Sequence, residues 1–287
     1  MGHLNVGFYV AKAMEALAGL AAELGMPRVI APTAEATLVV RDQHIRFLRE
    51  ARPGTALTIG GGVVEMGESE ARLLLLMRHP SGEFAASFQT VVTHATARHG
   101  RPFPWPDRVR ARAAALAIEV PEKAAPRSVS LAPIETQASL ARADALGLIH
   151  TGLGVVDPRD CDAFGRMRTE GFMQRLSSAI PNLFAAGRPG RGPAERGKVG
   201  GAALEYRLVH HAWPRAGDRV MLRSGFSGGD ARVRRLTHWM LDPDSGRPWA
   251  SAEAIAVSFD LETRKIITLS DEELARMEAE TTPGLTL

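Results

Sequence analysis

The chain has 287 residues, 45% of them hydrophobic and 23% charged, with 35 Lys and Arg against 32 Asp and Glu. That is ample material for packed cores, and it excludes a disordered chain; the net charge of +3 gives no case for nucleic acid and suits an anionic small molecule or an acidic carrier protein. No apolar run reaches the ~20 residues of a membrane span, no secretory leader is legible, and a lone Cys161 cannot close an internal disulfide, so a cytoplasmic protein of about two domains is expected.

In chain order, the polar tetrapeptide Gly2-His3-Leu4-Asn5 runs straight into a helix over 5–24. Val6, Val10, Ala13, Met14, Leu17, Leu20, Ala21 and Leu24 recur at three- and four-residue steps, one helical face. Gly25-Met26-Pro27 stops it. Strands are predicted over 36–47, 56–65, 71–77 and 85–96, with a turn at Arg52-Pro53-Gly54 and a hairpin at His79-Pro80-Ser81-Gly82. Pro102 to Pro106 ends the sheet, and a short helix follows over 107–117. Residues 118–143, mixed in Pro, Ala, Ser and charge, read as a linker. Gly60-Gly61-Gly62 precedes apolar strand residues rather than Lys-Ser/Thr and a helix, which favours a bent strand over a phosphate loop.

The second half repeats the first. Gly165-Arg166-Met167-Arg168 stands 163 residues after Gly2-His3-Leu4-Asn5, and Phe172 falls at the Tyr9 position on a second helix with Met173, Leu176 and Ile180. Glu205-Tyr206-Arg207-Leu208 resembles His44-Ile45-Arg46-Phe47 at an offset of 161, and Asp244-Ser245-Gly246 resembles Pro80-Ser81-Gly82 at 164. Ser270-Asp271-Glu272-Glu273 opens a terminal helix with a capping-box pattern, parallel to 107–117. A period this long means a duplicated domain. The boundaries are then 1–117, a linker 118–143, and 144–287. The strand over 149–156 and Asp162, three residues before Gly165, have no counterpart in the first copy.

Gly-His-Leu-Asn followed by a Tyr and a long helix resembles the hot-dog-fold thioesterases of the 4-hydroxybenzoyl-CoA and acyl-ACP thioesterase group, whose motif reads Asp-x-x-Gly-His-(Val/Leu/Met)-Asn. The resemblance implies an α+β tandem double hot-dog, each unit a long helix wrapped by a curved antiparallel sheet. It implies an enzyme hydrolysing a carrier-bound thioester, acyl-CoA or acyl-ACP, with coenzyme A or phosphopantetheine as part of the substrate and no separate cofactor. Single-unit members place their sites at a dimer interface, which a tandem chain would form internally; a homo-oligomer of the double chain is compatible with it.

By the same resemblance the catalytic candidates are His3, Asn5 and Asp162, and the substrate-binding candidates are Gly2, Tyr9, Gly165 and Phe172, to which the basic composition of residues 187–198 adds Arg188 and Arg191. Thioester hydrolysis needs a carboxylate or a carboxylate-activated water, and donors for the oxyanion. The first copy has His3, Asn5 and Tyr9 without the Asp; the second has Asp162 with Arg166 and Arg168 where the motif has His and Asn. Each carries half the pattern, so impaired activity is expected, with an in-frame strand and Asp upstream of Met1 restoring it. Each residue also has a plainer reading. Asn5 can cap its helix, Asp162 can cap the second helix or pair with Arg166, and Glu15 can be a solvent charge rather than a substitute carboxylate. The basic stretch 187–198 either meets carrier phosphates or an acidic carrier protein, or is a solvated loop. His210-His211 has no partner at metal-ligand spacing, so no metal is expected. The alternative from another class is a non-catalytic acyl-binding or assembly protein; a hot-dog hydratase is a weaker third.

Overall fold

A computed structural model describes residues 4–187 and 199–287. Its chain forms two compact units: Met1–Pro126 with Val156–Gln174 and Trp213–Gly217, and Arg127–Val155 with Arg175–Ala212 and Asp218–Leu287. The partition does not follow the sequence repeat. The stretch around Asp162 and the start of the second long helix, although part of the second repeat, belong to the first unit.

The first unit is built on helix α1, Val6–Glu23. The Asn5 side chain accepts from the Gly7 amide at 2.9 Å, a cap that meets one of the orphan donors of the first turn. At the other end Met26 N–H bonds to Ala21 O and Gly25 N–H to Ala22 O, the paired bonds of a Schellman stop. Tyr9, Val10, Ala13, Leu17, Leu20 and Ala21 are buried, so the apolar spacing reads out directly as the packed face. Four antiparallel strands accompany it in the order β2 (Thr58–Met66), β3 (Glu70–Arg78), β4 (Phe84–Thr96), β1 (Ala36–Phe47). Helix α1 packs on β2 and β3. The triple glycine lies within β2, opposite Leu74 to Leu76. A Cβ on Gly61 would stand 1.9 Å from the Leu74 carbonyl oxygen, so this is a close strand-to-strand approach and no phosphate loop. Helix α2, Asp107–Ala115, completes the unit, and the chain after it pairs with Val63 through Leu116 O and the Ile118 amide.

In the second unit α3 (Leu140–Ala145) leads into β5, Ile149–Val155. The strands run β5, β7 (Arg219–Gly229), β8 (Arg234–Leu241), β9 (Pro248–Asp260), β6 (Val199–His210), all antiparallel. The second long helix, α4, spans Thr169–Gly187, longer than the apolar face over 172–180 suggests, because it continues through Pro181. The last helix, α5, is Asp271–Ala279, with both halves of its capping box formed between Ser270 and Glu273. Its core gathers Ala138, Ala143, Leu148, Trp239, Leu241 and Leu285.

Strand irregularities repeat with the domain. The β1 bulge between Val40 and Asp42 recurs between Ala203 and Glu205, and the β2 bulge between Val63 and Glu65 recurs between Phe226 and Gly228. Each pair is 163 residues apart. This corrects the 161-residue register: Leu208, not Arg207 or Tyr206, is the counterpart of Ile45, and both are buried. Bulges are local insertions held by fixed ladder positions, so their coincidence reports common descent of the two sheets more directly than side-chain likeness. The segment 118–143 is less loose than a linker reading suggests. Arg46 donates to the carbonyls of Lys123 and Ala125, and Gln89 to Ala124. Glu205 accepts from the amides of Arg127 and Ser128 at 2.9 and 2.8 Å, while Arg207 donates to Ser130 O. Among the described residues no helix is long and apolar enough to cross a membrane.

Candidate active site

The loop that carries Asp162 is shaped by its own hydrogen bonds. Asp157 caps a single turn over Pro158–Asp160 by accepting from the Arg159 amide. Five residues after Asp157, the Asp162 amide donates to Arg166 O at 2.7 Å and the Gly165 amide to Asp162 O at 3.0 Å, closing a tight turn. Gly165 sits at φ +77°, a left-handed conformation that glycine adopts without steric cost. This is what the glycine of the motif does: it turns the chain so that the following residues can begin α4. Gly165 thus shapes the loop.

Asp162 has a fully engaged carboxylate. Oδ1 accepts from the amides of Phe164 (2.8 Å) and Arg166 (2.9 Å), and Oδ2 accepts from Arg166 Nε and lies 3.0 Å from Arg166 Nη2. The Arg166 side chain is only 10% exposed, and its guanidinium also lies over the Phe164 ring. Two guanidinium nitrogens converge on the one oxygen, and with the Asp162 side chain 31% exposed the pair is screened less than a fully exposed surface pair. Of the two plain readings of Asp162, pairing with Arg166 is realised; its amide bonds fall on Phe164 and Arg166, ahead of α4 at Thr169, so it caps its own turn and not the second helix. Arg168 is likewise committed, to Arg159 O at 2.9 Å and to Glu170 at 3.3 Å. Having no acceptor, Arg168 cannot cap α4 as Asn5 caps α1.

A cavity of about 460 Å³ opens over this loop, entirely within the first unit. One wall is apolar: Ala11, Met14, Leu17 and Ala18 of α1, Val29 and Ile30 after it, Leu38 to Val40 of β1, with Met167 and Trp213. The polar part of the lining is Asp162, Arg166, Arg168, Thr169 and Glu170, with Glu15 from α1. Glu15 pairs with Lys12 at 2.9 Å and is well exposed, so it is a solvent-facing charge that also stands at the cavity rim. Cys161 lines the cavity too, but burial raises its thiol above the ordinary range, which keeps it protonated and a poor nucleophile at neutral pH. Nearby, Arg41 at the β1 bulge donates to Thr93, which donates to Glu70. Burial lowers the Arg41 pKa; Glu70 opposes that shift and Arg166 adds to it.

The other candidates lie elsewhere. Tyr9 is 4% exposed, its hydroxyl accepts from the Ala51 amide at 2.8 Å, and it meets Phe47 edge-on. Phe172 is fully buried and edge-on to Trp213. Neither ring lines the cavity. The two are true counterparts all the same. Pro214 stands 163 residues after Ala51, so where the second copy has no hydroxyl it also has no amide to satisfy. The flanking bonds persist: Leu4 N–H to Ala51 O, and Met167 N–H to Pro214 O. Gly2, His3, Arg188 and Arg191 lie outside the described residues. The apolar wall from α1 and β1 was not anticipated as Asp162's partner, although Met14 and Leu17 were legible as apolar.

Comparison with known proteins bears on what such a loop and cavity belong to. Among curated proteins none matches this chain. In fold it is similar to the proposed oleoyl thioesterase of Lactobacillus plantarum, at 13% identity and TM-score 0.66, over 94% of this chain and 91% of that one. It is similar to the 12:0-ACP thioesterase of Umbellularia californica, at 13% identity and TM-score 0.64, over 88% and 90%. An acyl-ACP thioesterase of Bacteroides thetaiotaomicron aligns at 11% identity and TM-score 0.59, over 89% and 90%. These likenesses establish the tandem hot-dog fold. The model of the thioesterase-like superfamily matches residues 1–113 and 156–277, one segment for each repeat. With both repeats matched and most of its length covered, the chain belongs to the thioesterase-like superfamily.

Proposed function

We propose that this chain hydrolyses an acyl thioester, carried by coenzyme A or an acyl carrier protein, in the cavity above Asp162. One observation carries the placement: a cavity apolar along α1 and β1 is also lined by Asp162 and by Thr169 and Glu170 of the first turn of α4. An acyl chain would lie along Met14, Leu17 and Val39, putting the thioester at the loop. The first-turn amides of α4 would polarise its carbonyl, where negative charge develops in the transition state. Asp162 would hold the loop and serve as the carboxylate of the site. The Arg166 guanidinium competes for its lone pairs, which would make a slow enzyme rather than a fast one. The carrier brings its own phosphopantetheine, so no further cofactor enters the reading.

The test is release of free thiol from a panel of acyl-CoAs and acyl-ACPs by the full chain. Turnover should rise with acyl length until the cavity is filled. Met14→Trp, which places an indole in the apolar wall, should lower it at least tenfold for long acyl chains and spare the shortest. Binding of acyl thioesters with no turnover of any would instead make this a non-catalytic acyl-binding member.

A further inference from the structure

The first unit carries a second concavity, of about 670 Å³, between the loop after α1 and the segment that follows β4. It adjoins the acyl cavity, Val29 lining both. Three guanidinium groups line it, from Arg28, Arg101 and Arg108, against one carboxylate, Glu35, among the described residues. Arg28 donates to the Thr33 hydroxyl at 3.1 Å. Among the described residues the guanidiniums of Arg101 and Arg108 make no ion pair or hydrogen bond, whereas Arg46, Arg166, Arg168, Arg207 and Arg235 are all spent on carbonyls or carboxylates. Three guanidiniums against one carboxylate leave the concavity a net positive site, which an anion would fill favourably, less so as salt rises.

The remaining surface is apolar, chiefly Met26, Pro27, Pro102 and Phe103. His94 is not a fourth cation. Its ring stacks on Trp105, Nδ1 faces the carbonyls of Phe103 and Pro104, and burial lowers its pKa. Its role is to hold the Phe103 segment in place. A smaller concavity with Arg98, His99 and Arg215 meets this one at Ala34, extending the basic rim.

We propose that this concavity binds a nucleoside phosphate, its phosphate groups on Arg28, Arg101 and Arg108 and its base against Phe103 and the prolines. Guanidinium forks match phosphate oxygens in pairs, and an apolar shelf beside them suits a planar base. The size is that of a small-ligand pocket, whereas a carrier protein would need a face of roughly 800 Å². Because the site adjoins the acyl cavity, the nucleotide end of coenzyme A is one source of that chemistry and a free nucleotide another. The first source rests on the thioesterase reading given above.

Calorimetric titration of the full chain with adenosine 3′,5′-bisphosphate, ADP, coenzyme A and pantetheine tests it. Nucleotides and coenzyme A should bind, more weakly as salt rises, and pantetheine should not. Arg101→Ser with Arg108→Ser, both exposed positions, should weaken nucleotide binding at least about tenfold at unchanged Tm. Arg28→Ser, also exposed, should act in the same direction. If coenzyme A is the source, the double variant raises KM for acyl-CoA at constant kcat and leaves acyl-pantetheine hydrolysis alone. If a free nucleotide is the source, ADP binding falls while KM for acyl-CoA holds. Absence of nucleotide binding overturns the proposal, as does a double variant that impairs acyl-ACP turnover alone. Nucleotide binding by a chain that hydrolyses nothing would leave this site standing and sink the thioesterase reading.

Discussion

Arg166 decides how Asp162 behaves. The first copy of this chain has His3 and Asn5 at the positions of Arg166 and Arg168, so the chain itself supplies the replacement to try. With Arg166→His and Arg168→Asn together, Oδ2 of Asp162 loses its two guanidinium contacts while Oδ1 keeps both amides. The expected result is a rise in kcat of at least ~10-fold, about 1.4 kcal/mol of barrier, read by thiol release. Tyr9 makes a separate stability claim. Removing its hydroxyl leaves the Ala51 amide buried without its acceptor. Tyr9→Phe should therefore cost about 1–2 kcal/mol in urea unfolding, with activity per folded molecule unchanged. The Asp162–Arg166 pair was among the sequence alternatives because four residues separate them. The burial of Tyr9 was less legible, since an aromatic at a helix start serves equally as core or as substrate wall.

At the scale of elements, apolar spacing and Gly/Pro punctuation fixed α1, β1, β4, α2 and β5 to within a residue or two. What they could not show was register. Arg207 resembled Arg46 by eye at an offset of 161, whereas the matching bulges of β1 and β6 carry the 163-residue offset of the helix starts through the strands as well. Departures between equivalent elements are informative. His238 on β8, Ser224 on β7 and Thr151 on β5 form a buried polar row, with His238 Nδ1 and Thr151 Oγ1 each 2.8 Å from Ser224 Oγ. The first copy has Leu75 and Gly61 at the His238 and Ser224 positions. Burial depresses the His238 pKa from 6.5 to about 4, and that of His211 to about 4 as well. A folded-state pKa below the unfolded one means the unfolded chain binds the proton first. Stability is thus fully present above pH 6.5 and is lost as pH falls towards 4, by roughly 3 kcal/mol for His238. His238→Leu should remove that share of the slope between pH 7 and 4.5 in denaturant titrations; an unchanged slope would mean that the residue does not titrate with folding.

For the whole molecule, the duplication was the most legible feature, because a period of 163 residues at the long-helix start and 164 at the hairpin turn and the last helix survives in the sequence. Even the small bridges recur: Val63 with Ala117, and Phe226 with Thr281. The partition into units was not legible. Periodicity says which segments are homologous but not which segments pack together, and residues 156–174 fold with the first unit. That placement sets the Asp162 loop against α1 and makes a cavity of residues from both repeats. The central claim is that thioester hydrolysis occurs there, and Asp162→Asn tests it most directly. Asn keeps an acceptor for the Phe164 and Arg166 amides and loses the charge. Measured as thiol release per folded molecule from a long-chain acyl-CoA or acyl-ACP by the full chain, the account predicts a fall of at least ~100-fold, about 2.7 kcal/mol, beside a lower Tm from the lost partner of Arg166. Turnover equal to that of the parent chain would contradict it.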